Sequence, residues 1–312
     1  MMTFLLQTIQ RDSVISFPMF GDFRIDPPSS FSLFGIHIYY YGVLIALGFI
    51  LAIVYCSHNS KDFGIKSDDF YDLMLWIIPC CIVGARLYYV FCHWSNYVGD
   101  TVWQTLWNWC KIWEGGTAIP GGLLLATFCV WLYARKKKIP FGAIMDCVVL
   151  GLLIGQIIGR WSNFMNREYI GEVTDIFCRM GLTTGGTTYY VHPLFLYESL
   201  WNLVGFIFLA IWTRKGKRQY DGQATLLYFV WYGLIRFLLE PLRTSPLLIP
   251  GTALRASQVI GGGMCLVALV ILVVQSRRPH KPEDLYVNRV RAQSAAAEEK
   301  EKTPNGSEDK TV

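Results

Sequence analysis

Arg160, Asn163, Asn166 and Arg167 stand in the run Gly159-Arg160-Trp161-Ser162-Asn163-Phe164-Met165-Asn166-Arg167-Glu168-Tyr169-Ile170-Gly171. It follows an apolar stretch, Ile144 to Ile158, interrupted only by Asp146, small residues and Gln156. Two guanidiniums, two carboxamides and a carboxylate therefore meet where a membrane helix ends or has just ended. If the helix continues, Arg160, Asn163 and either Asn166 or Arg167 share one face, because residues three and four apart are neighbours. Such a face is dense in N–H donors and suits anionic oxygens; phosphate fits the guanidinium fork. The alternative is an interfacial Arg that snorkels to the headgroups, with the Asn residues capping the helix end.

Other charges stand inside apolar runs. A charged side chain at the centre of a membrane helix costs at least about 2.5–3.5 kcal/mol, so each asks for a reason. Arg86 lies in Gly84-Ala85-Arg86-Leu87-Tyr88-Tyr89, and Arg236 in a run where Tyr232, Arg236, Glu240 and Arg243 share a helical face at spacings of four, four and three. Glu240 reads as a neutralising partner for Arg236 or Arg243. Arg236 reads as functional, since a purely structural helix would be cheaper without a charge. His192-Pro193-Leu194-Phe195-Leu196-Tyr197-Glu198 opens another span, with Pro suited to a first helical turn. Glu198, about one turn in, could be a base or a counter-ion, and the counter-ion is preferred. His37, before Tyr39-Tyr40-Tyr41-Gly42, is a further candidate base, although a His beside an aromatic belt is commonly just hydrogen-bonded.

The elements that must position these groups are membrane helices. The chain is 53% hydrophobic and 16% charged with 11 Trp, a balance that excludes an ordinary soluble domain. Apolar runs at about 38–56, 72–92, 118–134, 142–160, 193–212, 222–240 and 256–275 predict seven transmembrane helices in an all-α polytopic fold. Arg135 to Lys138 and the cluster Arg214, Lys215, Lys217 and Arg218 fill two short loops on one side. With Lys61, Lys66, Arg277 and Arg278 they place the N-terminus outside and the C-terminus in the cytoplasm. Candidate site residues then map to the outward half, where a cavity rich in Arg and Tyr would attract a phospholipid head. Residues 1–35 read as an extracytoplasmic interfacial segment without signal-peptide features, 36–278 as the membrane domain, and 279–312 as a disordered cytoplasmic tail. The nine cysteines show no metal-binding spacing; one bridge among Cys92, Cys110 and Cys178 stays open. Loop 93–117 carries five Trp for the headgroup region, and Thr183 to Thr188 reads as a flexible turn.

The run Gly159-Arg160-x-x-Asn163-Phe164-x-Asn166-x-Glu168-x-x-Gly171 resembles the signature of the prolipoprotein diacylglyceryl transferases. Tyr41-Gly42, Gly84-x-Arg86, Trp113-x-Gly115-Gly116, Gly121-Gly122-Leu123, His192-Pro193-x-x-x-Tyr197-Glu198 and Tyr232-Gly233-x-x-Arg236-Phe237-x-x-Glu240-x-x-Arg243 extend the resemblance, in order, over about residues 26–275. The resemblance implies transfer of a diacylglyceryl group from phosphatidylglycerol to the lipobox cysteine thiol of a prolipoprotein in the bacterial cytoplasmic membrane. A thioether forms, glycerol phosphate leaves, and no metal or organic cofactor is implied. By the same resemblance Arg160 and Arg236 hold the lipid phosphate, Asn163 completes the catalytic set, and Tyr41, Arg86, Gly121, Gly122, Asn166, Glu168, Gly171, His192, Tyr197, Glu198, Tyr232, Glu240 and Arg243 bind substrate.

The chemistry agrees with the residues. The nucleophile belongs to the substrate, so no catalytic Cys or Ser is needed. Positive charge favours the thiolate, and arginines stabilise the departing phosphate. One position departs from the family pattern. Many members carry His, others Tyr, immediately before the glycine pair of the third span, and this chain has Pro120, which cannot take a proton. Either no residue base is required, which is preferred, or His192, His37 or Glu198 serves. A transporter, flippase or receptor with a headgroup-depth site is the competing class, and an inactive homologue a third.

Overall fold

The computed structural model describes residues 13–21, 23–249 and 251–302. Residues 1–12 and 303–312, the ends of the expected interfacial segment and tail, lie outside the described residues. Each expected span is a helix: α1 (Tyr40–Asn59), α2 (Ser67–Cys92), α4 (Ile119–Lys137), α5 (Phe141–Met165), α6 (Leu194–Arg214), α7 (Gln223–Leu239) and α8 (Ala256–Ser276), with the short α3 (Val102–Cys110) between α2 and α4. Six of these, all but α3 and α4, are long and apolar enough to cross a membrane. The last turn of α4 holds Arg135, Lys136 and Lys137. The chain is a predominantly helical multi-pass membrane protein.

It divides into two compact units. The first comprises Met1–Cys56, Val148–Gln219 and Gln223–His280. It adds small sheets that apolar periodicity does not announce. Strands β1 (Val14–Ser16), β2 (Arg24–Ile25), β5 (Met180–Thr184) and β6 (Thr187–Val191) form an antiparallel sheet in the order β2-β1-β5-β6, while β3 (Ser30–Leu33) and β4 (Ile36–Tyr39) make a separate hairpin. Ile15 opposite Leu182 sets the β1–β5 register. Both are buried with Met180, Val191, Ile170, Phe164 and Phe195, so the sheet packs on the end of α5 and the start of α6. The Thr183–Thr188 segment is the tip of the β5–β6 hairpin. Gly185 and Gly186, at φ +59° and +83°, supply the two left-handed residues that a tight hairpin turn requires.

Close helix contacts fix this unit. Trp201 on α6 and Trp231 on α7 stack at 4.5 Å, and each indole N–H donates to the other's carbonyl at 3.0 Å. Gly233 on α7 meets α8 backbone: a Cβ there would lie 2.6 Å from the Gly261 carbonyl oxygen.

The second unit comprises Ser57–Cys147, Tyr220–Gly222 and Lys281–Val312. Here α2 packs on α4 through Gly84, Gly121 and Gly122; a Cβ on Gly122 would stand 2.9 Å from the Cys81 carbonyl. All nine cysteines are free, so none of the bridges left open forms.

The stretch expected to be a disordered tail is instead helical over α9 (Tyr286–Lys302). Its sequence is rich in Ala, Glu, Lys and Arg, strong helix formers even without an apolar stripe. Its start is anchored: Leu285 and Val287 are buried, and Tyr286 N–H donates to Asp221 at 3.0 Å. Gly64, at φ +78°, lets the chain approach, since its Cβ would lie 2.8 Å from Val287 Cα. Gly64→Val is expected to destabilise this docking by about 1–3 kcal/mol, from left-handed strain and overlap together. Limited proteolysis should then cut within 281–302 far faster than in the parent.

Candidate functional site

Helix α5 carries Arg160 and Asn163 in its final turns, α6 carries Glu198 one turn in, and α7 carries Tyr232 and Arg236 before the turn that holds Glu240. The antiparallel α5–α6 contact, pinned by Ser199 Oγ donating to the Ile157 carbonyl at 3.1 Å, brings Arg160 opposite Glu198. The Glu198 carboxylate has no exposed surface. Arg160 Nη2 donates to its Oε1 at 2.6 Å, and Arg236 Nη1 to its Oε2 at 3.3 Å. Arg236 Nη2 also donates to Glu240 at 3.2 Å, and Arg243 lies 3.7 Å from the other Glu240 oxygen. Glu240 is likewise fully buried, and Arg255 donates to its backbone carbonyl. Asn163 Oδ1 accepts from Arg160 Nη1 at 3.1 Å. Three guanidiniums thus face two carboxylates, and a fourth, that of Arg255, reaches the Glu240 backbone, so cations outnumber carboxylates here.

Tyr169 sits at the centre and was not singled out from the sequence. Its hydroxyl donates to Glu198 Oε2 at 2.7 Å and accepts from Arg236 Nη1 at 2.6 Å. Its ring faces the guanidiniums of Arg160, Arg236 and Arg243 at 4.4, 5.7 and 5.5 Å. Burial, then the Glu198 carboxylate, pushes the phenol well above the usual tyrosine range, so it is a neutral hydroxyl. Tyr169 and Arg167 both have φ +56°, a left-handed conformation that non-glycine residues adopt at a cost. The only sequence signal for Tyr169 is its place after Glu168 in the polar run.

The helix ends at Met165, so the continuation that would align Asn166 or Arg167 with Arg160 does not occur. Arg167 is buried elsewhere: it donates to the Ser13 carbonyl at 2.8 Å and pairs with Asp26, tying down β1 and the segment after β2. Asn166 donates to Glu168 at 3.3 Å, and Glu168 is exposed. Beyond them the chain runs extended. Gly171 N–H donates to His192 O at 2.9 Å, Glu172 N–H to Leu242 O at 2.8 Å, and Gly171 bridges Arg243. A Cβ on Gly171 would come 2.6 Å from that of His192, so only glycine fits there. His192 Nδ1 lies 3.3 Å from Tyr197 Oη, and burial lowers its pKa below the ordinary histidine value. Tyr232 stacks on Tyr228 at 5.7 Å, and Tyr228 Oη accepts from Gln156 at 2.8 Å. Asn202, one turn beyond Glu198, is fully buried with its carboxamide unpartnered among the described residues. Tyr41 lies in the exposed first turn of α1, and His37 in β4.

This geometry suits recognition of an anionic phosphodiester. A sequence model of the prolipoprotein diacylglyceryl transferase family matches residues 28–274. The chain belongs to the prolipoprotein diacylglyceryl transferase family. The phosphatidylglycerol–prolipoprotein diacylglyceryl transferase of Enterococcus faecalis is 36% identical over 261 residues, covering 80% of this chain and 91% of that protein. That of Halalkalibacterium halodurans is 38% identical over 245 residues, covering 75% and 81%, and that of Lactiplantibacillus plantarum 33% over 281 residues, covering 88% and 97%.

In this family member Arg86, Gly121 and Gly122 belong to the second unit. Arg86 is buried and has no carboxylate partner among the described residues. Instead its Nε donates to Trp109 O at 2.9 Å, Nη1 to Gly115 O at 2.6 Å and Gly116 O at 2.9 Å, and Nη2 to Asn108 O at 2.9 Å. The guanidinium thus gathers residues 108–116 around itself, a geometry open to a planar fork and closed to an ammonium. Gly116, at φ +76°, leaves room for it: a Cβ there would lie 2.7 Å from Nη1.

Two outcomes follow for this region. Arg86→Lys should lower stability by at least the one or two charge-assisted bonds it cannot replace, each worth about 1.5–3 kcal/mol, read as a drop in detergent-solution Tm. His192 is expected to act in the opposite sense to an ion-paired histidine. Its folded pKa is depressed, so the stability it confers is full above the unfolded value of about 6.5 and falls as pH drops below it. Thermal unfolding between pH 5 and 8 should show that loss in the parent and a shallower one in His192→Gln.

Proposed function

We propose that the Arg160–Glu198–Arg236–Glu240–Arg243 cluster is where this diacylglyceryl transferase binds the phosphate of phosphatidylglycerol and delivers the diacylglyceryl group to the lipobox cysteine of a prolipoprotein. The observation that carries this is the excess of partly exposed guanidiniums over the two fully buried carboxylates they pair with. Arg236 stabilises the leaving phosphate, Arg160 orients the phosphodiester, and Asn163 holds Arg160 in place through its carboxamide oxygen. The substrate thiol attacks the glycerol carbon, the carbon–oxygen bond to phosphate breaks, and glycerol phosphate leaves. Preorganised cations in a water-poor site lower that barrier most where negative charge grows. In this reading Tyr41, Tyr197, Tyr232, Asn166, Glu168, Gly171 and His192 of the first unit bind or support substrate, as do Arg86, Gly121 and Gly122 of the second, each within its own unit.

The chain works in the bacterial cytoplasmic membrane. Seven spans, including the cation-tipped α4, put the N-terminus outside and the C-terminus in the cytoplasm. The basic loops between α4 and α5 and between α6 and α7 support that orientation.

The test uses purified protein in vesicles containing phosphatidylglycerol, a short lipobox peptide, and mass spectrometry of the peptide. The parent is expected to add a diacylglyceryl group to the cysteine. Arg236→Ala should lower the rate at least about 100-fold, the loss typical of removing one preorganised donor. Unmodified peptide and unconsumed lipid with well-folded parent would instead favour a transporter or an inactive homologue.

A further inference from the structure

Positive charge makes a thiolate more stable, but it does not carry the thiol's proton away. The cluster contains one group arranged to do so. Tyr169 Oη already stands in a line of hydrogen bonds, accepting from Arg236 and donating to Glu198. The phenol is faced by Arg160 from α5, Glu198 from α6, Arg236 from α7, and Arg243, with Glu240 behind Arg236. Any anion that draws Arg236 toward itself removes the donor from the phenol oxygen and one of the two cations from Glu198. Both changes make the pair more basic, and both happen only when phosphate is bound.

We propose that Tyr169, backed by Glu198, accepts the proton of the substrate thiol once the lipid phosphate has engaged Arg236. The proposal rests on the transferase reading above. The thiol S–H bond breaks and its proton moves to the phenol oxygen, while the phenol's own proton moves to Glu198 Oε2. The carbon–sulfur bond forms as the glycerol carbon–oxygen bond to phosphate breaks. The departing phosphate monoester takes the proton from Glu198, so the enzyme returns to its starting state and no oxidant or reductant is needed. The left-handed backbone at Tyr169 fits this role, because strain of this kind persists where the surrounding structure holds a side chain in one place.

The experiment compares the parent with Tyr169→Phe in phosphatidylglycerol vesicles, using one lipobox peptide made with cysteine and again with selenocysteine. A selenol is ionised at neutral pH and needs no base. Tyr169→Phe should lower kcat on the cysteine peptide about 100-fold or more, the usual contribution of a positioned acid–base group. KM for phosphatidylglycerol should change little. The residual rate should climb about tenfold per pH unit toward the thiol's own pKa of about 8.5. On the selenocysteine peptide the variant should run within a few-fold of the parent. Equal slowing on both peptides with a flat pH profile would reduce Tyr169 to a positioning role and overturn the proposal, as would an undiminished rate on the cysteine peptide. If the phenylalanine variant does not fold, Tyr169→His carries the test: it should retain turnover with a profile set by an imidazole near pH 6.5, and a dead but folded variant would overturn the proposal. A parent that forms no adduct on either peptide would sink the transferase reading itself, an outcome distinct from all of these.

Discussion

The site depends on the burial of one carboxylate between two guanidiniums. Glu198 has no contact with solvent, and an unpaired charge in that position could not be tolerated. Its pairing with Arg160 and Arg236 dictates where α5, α6 and α7 meet, since each contributes one partner. Removing a single partner from such a buried set generally costs about 3–5 kcal/mol, because the remaining charge is stranded. The small sheet belongs to the same constraint. Arg167 and Tyr169 keep their left-handed backbone because β1, Asp26, His192 and Leu242 hold the loop from both ends. A surface loop without those anchors would relax out of it, and the phenol would leave the guanidiniums.

Residue types alone carried the membrane architecture a long way. A run such as Ile144 to Ile158 has few ways to satisfy its backbone in lipid, so hydropathy located the helices to within a few residues. Glu198 and Glu240 were legible as counter-ions because an isolated carboxylate at that depth has no other inexpensive state. Arg86 was not legible. Its partners are four backbone carbonyls, which any sequence could supply, so nothing in the neighbouring residue types reveals the cage. Arg167 failed for a different reason. Helical periodicity predicts a shared face only while the helix lasts, and α5 stops two residues earlier. The sheet was hidden because β1 is three residues long and pairs with a strand more than 160 residues away. Strands that short show no alternation to read. α9 is not legible because low apolar content is common to disordered segments and to helices held at one end, and here two buried side chains, Leu285 and Val287, anchor the start of an Ala- and charge-rich helix.

As the proposed lipid-phosphate site, the cluster would face two demands that conflict. With lipid absent, three guanidiniums held together in a water-poor space would repel one another and cost several kcal/mol each to desolvate. With lipid present, those same guanidiniums must be free enough to grip a phosphate. Two buried carboxylates meet the first demand, and the excess of guanidiniums over carboxylates meets the second. A third carboxylate would bring the cluster nearer neutrality and give an anion less electrostatic reason to enter. One fewer would raise affinity for phosphate and endanger the fold. The aromatic ring of Tyr169 eases the compromise, since its face attracts cations without adding negative charge for phosphate to displace. Arginine suits this balance better than lysine. Its fork divides between partners, as Arg236 does between Glu198, Tyr169 and Glu240, and can yield some bonds while keeping others. A phosphate can therefore be gripped by exchanging hydrogen bonds within the cluster, with no carboxylate left unpaired.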